Sequence, residues 1–147
     1  MRKLLLISLG ATALIVTSPA QAKALKWGPA PAALPAGAKM AVVSGDPGKE
    51  GDFTVRIKVP ANYAVPPHHH PTDETVRVLS AGKLTYGSGD KVDTANSATL
   101  EKGYHVTMKA GMNHWVQSTD PLEIQVSGTG PFQIVYANPA DDPSKAK

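Results

Sequence analysis

From Phe53 to Val59 the chain alternates without interruption. Phe53, Val55, Ile57 and Val59 are apolar, and Thr54, Arg56 and Lys58 between them are polar. Successive side chains of a strand point to opposite faces, so this pattern requires a strand with one face in a core and one in water. Half-wet strands of this kind belong to antiparallel sheets. Turns are frequent around it. The 147 residues include 13 Gly and 13 Pro, and turns are expected at Gly45-Asp46-Pro47-Gly48 and Gly87-Ser88-Gly89-Asp90. Further short strands are expected at Met40–Ser44, Thr75–Ser80, Lys83–Tyr86, Tyr104–Met108, His114–Ser118, Leu122–Val126 and Phe132–Tyr136. Val92 to Leu100 is polar and weakly patterned and reads as a loop. Many short strands in a chain of this length imply a single all-β domain, a sandwich or a barrel. About 100 ordered residues bury one core without covalent staples.

The first 22 residues read differently. Arg2 and Lys3 precede an apolar run from Leu4 to Val16, and Ala20-Gln21-Ala22 follows as an A-x-A cleavage site. The run is short of the roughly 20 residues that span a bilayer. Residues 1–22 are therefore expected to be a bacterial signal peptide, with a periplasmic or secreted protein starting at Lys23. The other readings are an uncleaved anchor or a buried helix. Residues 23–37 are rich in Ala and Pro and read as an extended lead-in, in which Trp27 is placed to dock on the body. The domain runs from 38 to 138. Residues 139–147 are polar and Pro-broken and read as a flexible tail.

Composition excludes several functions. There is no cysteine, so disulfides, thiolate-bound zinc and thiol catalysis are ruled out. The formal charge is +3. Without Arg2 and Lys3 it falls to +1, 13 basic against 12 acidic residues, which leaves no basic face for nucleic acid. No second segment is apolar enough to span a membrane, so no membrane contact is expected after cleavage.

Three of the five histidines lie in Pro66-Pro67-His68-His69-His70-Pro71-Thr72-Asp73-Glu74. In an extended segment His68 and His70 share a face and His69 points away. If the chain re-enters a strand after Pro71, Glu74 falls on the same face. Two imidazoles and a carboxylate are a ligand set for a divalent metal. A further ligand must come from elsewhere. The turn Gly111-Met112-Asn113 delivers His114 to the start of a later strand. The alternative is a surface histidine cluster with chance affinity for metal.

These residues resemble the two conserved motifs of the cupin superfamily. The first pairs two histidines one residue apart with a glutamate four positions on, and His68, His70 and Glu74 fit it. The second sets a third histidine after a glycine turn, and Gly103, Gly111 and His114 fit its intervals. The chain departs from the motifs elsewhere: Asn62 stands at the leading glycine of the first, Ala81 at its trailing glycine with Gly82 one residue late, Lys109 at the proline of the second and Ser118 at its asparagine. None of these four is a ligand in the family. The resemblance implies a single-domain, cupin-type antiparallel β-barrel (a double-stranded β-helix or jelly roll) holding one divalent transition metal, Mn, Fe, Ni, Cu or Zn, on His68, His70, Glu74 and His114. It also implies pairing of two copies through sheet edges.

Such a centre suits a mononuclear enzyme, a dioxygenase, oxidase or isomerase, acting on a small oxygen-rich molecule. The alternative is a non-catalytic periplasmic binding or interaction protein. His69 is expected to face outward. His105 is a surface or packed residue, or, if Tyr104 points out, an inward one near the metal. Asp73 is expected to be a turn or surface carboxylate. Tyr63, Tyr86, Met108, Met112, Trp115 and Gln125 are the side chains available to line a pocket or fill the core.

Overall fold

The computed structural model describes residues 24–145. The export segment expected at 1–22 lies outside the described residues. Eleven strands follow in order: β1 (Gly28–Pro29), β2 (Lys39–Ser44), β3 (Gly51–Val59), β4 (Tyr63–His69), β5 (Glu74–Val78), β6 (Lys83–Ser88), β7 (Ala98–Glu101), β8 (His105–Met108), β9 (His114–Ser118), β10 (Leu122–Gly130) and β11 (Val135–Tyr136). They form two antiparallel sheets, one in the order β1-β2-β3-β10-β5-β8 and one in the order β11-β4-β9-β6-β7. Among the described residues no helix is long and apolar enough to cross a membrane.

The alternation of β3 does what its pattern requires. Phe53, Val55, Ile57 and Val59 are buried. Across the sheet, Val55 pairs with Val126 and Ile57 with Ile124 of β10, and Val126 and Ile124 pair in turn with Val76 and Val78 of β5. Tyr63 and Val65 of β4, Leu84 of β6 and Val116 of β9 close the core from the second sheet. Each fully buried aliphatic side chain contributes roughly 1.5–3 kcal/mol. On the outer face Arg56 and Lys58 reach Glu123 at 3.3 and 3.9 Å, a solvated charge cluster that adds little.

Several segments differ from the sequence expectation. The lead-in contributes the short strand β1, and β4 is a strand beyond those expected. Val92 to Leu100 is not all loop. A 3-10 turn at Thr94–Asn96, capped by Asp93, leads into β7, which pairs with β6. β7 sends only Leu100 into the core, so it is too short to show an alternation. Conversely, only Val135–Tyr136 of the strand expected at Phe132–Tyr136 joins a ladder, although Phe132 and Ile134 still pack on the core. The tail holds two 3-10 turns, Pro139–Asp141 and Pro143–Lys145, the first capped by the Asn138 side chain.

The lead-in lies across the body. The Lys58 ammonium sits 4.1 Å from the centre of the Trp27 ring. Leu34 and Ala30 pack on the core, and two tyrosines fasten the segment between them. Tyr63 donates to the Pro35 carbonyl at 2.8 Å, and Tyr136 to that of Ala33 at 2.7 Å. Burial raises the pKa of both phenols, Tyr136 to about 12, so they remain donors throughout the neutral range.

Two positions depend on special backbone or space. Asn62 adopts φ +56°, the left-handed region that asparagine tolerates, in the turn where the family motif has glycine. Gly87 lies against the Trp115 ring, and a Cβ there would come within 2.6 Å of it.

Candidate metal centre

β4 carries the first two histidines, and a bulge decides where they point. Val65 pairs with Val116 and His68 with His114, so β4 spends three residues where β9 spends two. The extra residue falls at Pro66-Pro67, where proline has no N–H to give a ladder. The bulge shifts the alternation by one. Tyr63 and Val65 face inward before it, and His68 and His70 face inward after it. Without it, a strand with Val65 inside would turn both histidines to solvent.

His114 opens β9 directly opposite His68. Glu74 opens β5 in the other sheet, so the cluster bridges the two layers. The four side chains are deeply buried, with exposures of 4% for His68, 2% for His70, 8% for Glu74 and 1% for His114. One ring nitrogen from each histidine lies within 4.8 Å of the others. Glu74 Oε2 lies 3.4 Å from His70 Nε2 and 3.5 Å from His114 Nε2.

The tautomers follow from the backbone. His68 Nδ1 donates to the Pro66 carbonyl at 2.7 Å, His70 Nδ1 to Gln133 at 2.7 Å, and His114 Nδ1 to Met112 at 3.0 Å. A carbonyl can only accept, so each Nδ1 carries the hydrogen and each Nε2 is left with a lone pair. Nε2 of His70 and of His114 are buried without a hydrogen-bond partner. An unpartnered buried acceptor is costly unless something fills its need. Carbonyls that fix the far nitrogen of each ring are the usual support of metal-ligating histidines. Phe132 stacks on His70 at 4.3 Å and holds that ring from its side.

Charge agrees with this arrangement. Burial, reinforced by His114, lowers the His68 pKa to about 4, so the ring is neutral at pH 7. Burial raises the Glu74 carboxyl; hydrogen bonds from His114 and His70, made when Nε2 of those rings carries a proton, outweigh this and bring it to about 2. The centre therefore presents neutral imidazole from His68 and one carboxylate, a donor set that suits a divalent transition metal.

A cavity of about 70 Å³, open to the centres of water-sized molecules, adjoins the cluster. Of the side chains expected as lining, Tyr63 is there, Tyr86 packs against the core, and Met112 is exposed. Trp115 is buried against Gly87. His69 faces outward as expected. Its Nδ1 meets Asn113 Oδ1 at 2.8 Å, and Asn113 donates to Asp90 at 2.6 Å. His105 does not turn inward beside an outward Tyr104: both are exposed. His105 pairs with Arg77 across β8 and β5 and lies near its guanidinium, on the outer face of the sheet. Asp73 is a surface carboxylate that takes the Lys109 ammonium at 2.8 Å and the Ala110 N–H at 2.9 Å, and so braces the turn before His114. The sequence did not reveal the three carbonyl acceptors, because every residue carries one.

No protein-family model matches the chain, and no curated protein matches it. Solved structures do. The polyketide cyclase RemF from Streptomyces resistomycificus superposes with a TM-score of 0.66 at 16% identity, over 88% of this chain and 92% of that one. A cupin superfamily protein from Desulfitobacterium hafniense superposes with a TM-score of 0.52 at 8% identity, over 64% and 78%. The DMSP lyase DddQ from Ruegeria pomeroyi superposes with a TM-score of 0.54 at 21% identity, over 66% of this chain and 50% of the lyase. At these identities the likeness is one of fold: a single-domain antiparallel double-stranded β-helix, as in the cupins.

Proposed function

We propose that this cupin-type barrel is an exported protein that holds one divalent transition metal on His68, His70, His114 and Glu74 and uses it on a small molecule. The observation that carries the reading is the set of three buried histidines whose Nδ1 hydrogens are all taken by backbone carbonyls, two of whose Nε2 atoms have no partner. Glu74 supplies the charge that lets a dication enter an apolar interior. The fold is compatible with catalysis, since neighbours sharing it include a polyketide cyclase and a DMSP lyase. A binding protein without turnover is the second reading, because the same ligand set serves both.

When bound, the metal would act as a Lewis acid and orient a ligand's oxygen atoms. The chain's own residues do the rest. The carbonyls of Pro66, Gln133 and Met112 lock the three rings, and Phe132 fixes the His70 plane. Most of the walls beside the cluster are apolar. Glu74 is the one carboxylate in the cluster and is positioned to hold a proton if it moves off the metal.

Metal content by mass spectrometry tests the reading. Untagged protein, reconstituted in turn with Mn, Fe, Ni, Cu and Zn, is expected to hold close to one ion per chain. A variant with His68, His70 and His114 changed to Ala and Glu74 to Gln is expected to hold none. A wild-type protein that stays metal-free through reconstitution would overturn it.

A further inference from the structure

Apart from the three histidines and Glu74, the cavity is lined mainly by hydrocarbon: Ile57, Val65, Val76, Leu84, Ile124 and Val126 are among its walls. Among the described residues no lysine or arginine lines it. The remaining polar groups are largely committed. The Tyr63 hydroxyl donates to the Pro35 carbonyl. Ser118 Oγ lies within bonding distance of the Lys83 and Asp120 carbonyls and accepts from the Asp120 N–H. Gln117 sits at the boundary and also lines a groove outside the sheet.

From these walls we infer that the ligand of this centre has an oxygen-donor head on a short, uncharged hydrocarbon body. The inference rests on the metal reading above and narrows it. A dication with Glu74 leaves one unit of positive charge, which a single anionic head neutralises. A second charge, or a row of hydroxyls, would be stranded against side chains that cannot hydrogen-bond. The oxygen-rich body expected from the sequence therefore finds few partners here. Size sets the length. The cavity of about 70 Å³ is under half the roughly 150 Å³ that accepts benzene in an engineered protein cavity, so the body is short.

Three hydroxamates test this on cobalt-loaded protein, with dissociation constants read from the visible cobalt band. Acetohydroxamate, butanohydroxamate and succinic monohydroxamate share a head and differ in the tail. The two added methylenes of butanohydroxamate are expected to tighten binding about ten-fold over acetohydroxamate. The terminal carboxylate of the succinic compound is expected to weaken binding at least ten-fold relative to butanohydroxamate. Equal or tighter binding of the succinic compound, or no gain from the methylenes, would overturn the ligand class while leaving the metal in place. A second arm needs no metal. In apo protein, n-butanol is expected to shift the NMR methyl signals of Val65, Leu84 and Val126, and 1,4-butanediol is not. If cobalt fails to bind but butanol selects those methyls, the metal reading falls and the apolar ligand class stands. If cobalt fails and butanol leaves them unmoved, both fall.

Discussion

Burial and the neighbouring His114 hold the His68 ring at a pKa of about 4, against 6.5 for a free imidazole. In metal-free protein this makes stability depend on acid. Between pH 6.5 and 4 the unfolded chain binds a proton that the folded chain refuses, so stability is complete above 6.5 and drains away as the pH falls toward 4. Glu74 acts in the same direction at lower pH. Its folded pKa of about 2 lies below the ordinary 4.5, so its contribution is present above 4.5 and is lost as the pH falls toward 2. The His68 share is on the order of 3 kcal/mol. Urea midpoints of apo protein measured from pH 7 to 4 are expected to fall steeply, and His68→Gln is expected to flatten much of that fall. A variant with the wild-type slope would show that the proton goes elsewhere. Much of this residue scale was legible beforehand. Parity alone placed His68 and His70 on one face and His69 on the other, and glycine spacing brought in His114. For His105 the surface reading holds and the inward alternative fails, because Tyr104 precedes β8 and its own exposure says nothing of the parity that follows.

At the scale of elements, the bulge in β4 matters most. The sequence displays Pro66-Pro67 plainly, and their stiffness is readable. Their effect on parity is not, because it appears only when β4 is laid against β9 with His68 opposite His114. Deleting Pro66 removes the extra residue and the shift together, so Val65 and His68 become two positions apart, as on β9, and both are expected to stay inside. Metal affinity is then expected to stay within a few-fold of wild type, with the far-ultraviolet circular dichroism of a β protein retained; a loss of about 100-fold would show that the bulge does more than set parity. Pro66→Ala keeps the residue count and is expected to stay within a few-fold of wild type. Titration of both variants with cobalt separates the loss of the bulge from the loss of the proline ring. β7 was hidden for a different reason: a strand with one buried side chain has no period to detect.

At the scale of the whole molecule, the lead-in and the barrel are one packed unit. Leu34 lines the cavity, and Tyr63 and Tyr136 fasten the chain on either side of it. This docking begins a few residues after the cleavage site read at Ala20-Gln21-Ala22. If the export proposal is right, N-terminal sequencing of protein recovered from the periplasm or medium of an expressing bacterium will begin at Lys23, and retention of Met1 would sink it. The barrel itself was legible from alternation and turns. The apolar character of the cavity was not, since which of many inward valines border open space depends on packing.

The place of β10 has a further consequence. It lies between β3 and β5, pairs along nine residues with β3, and is nonetheless the last long strand to be synthesised. Until Leu122–Gly130 has left the ribosome, neither neighbour has its partner on that side, and the core between the sheets cannot close. Pairings this distant in sequence are also slow to form. The nascent chain therefore stays open until that strand has been made. For a protein bound for export that interval keeps the polypeptide threadable, and for one kept inside the cell it would leave apolar strands exposed to aggregation.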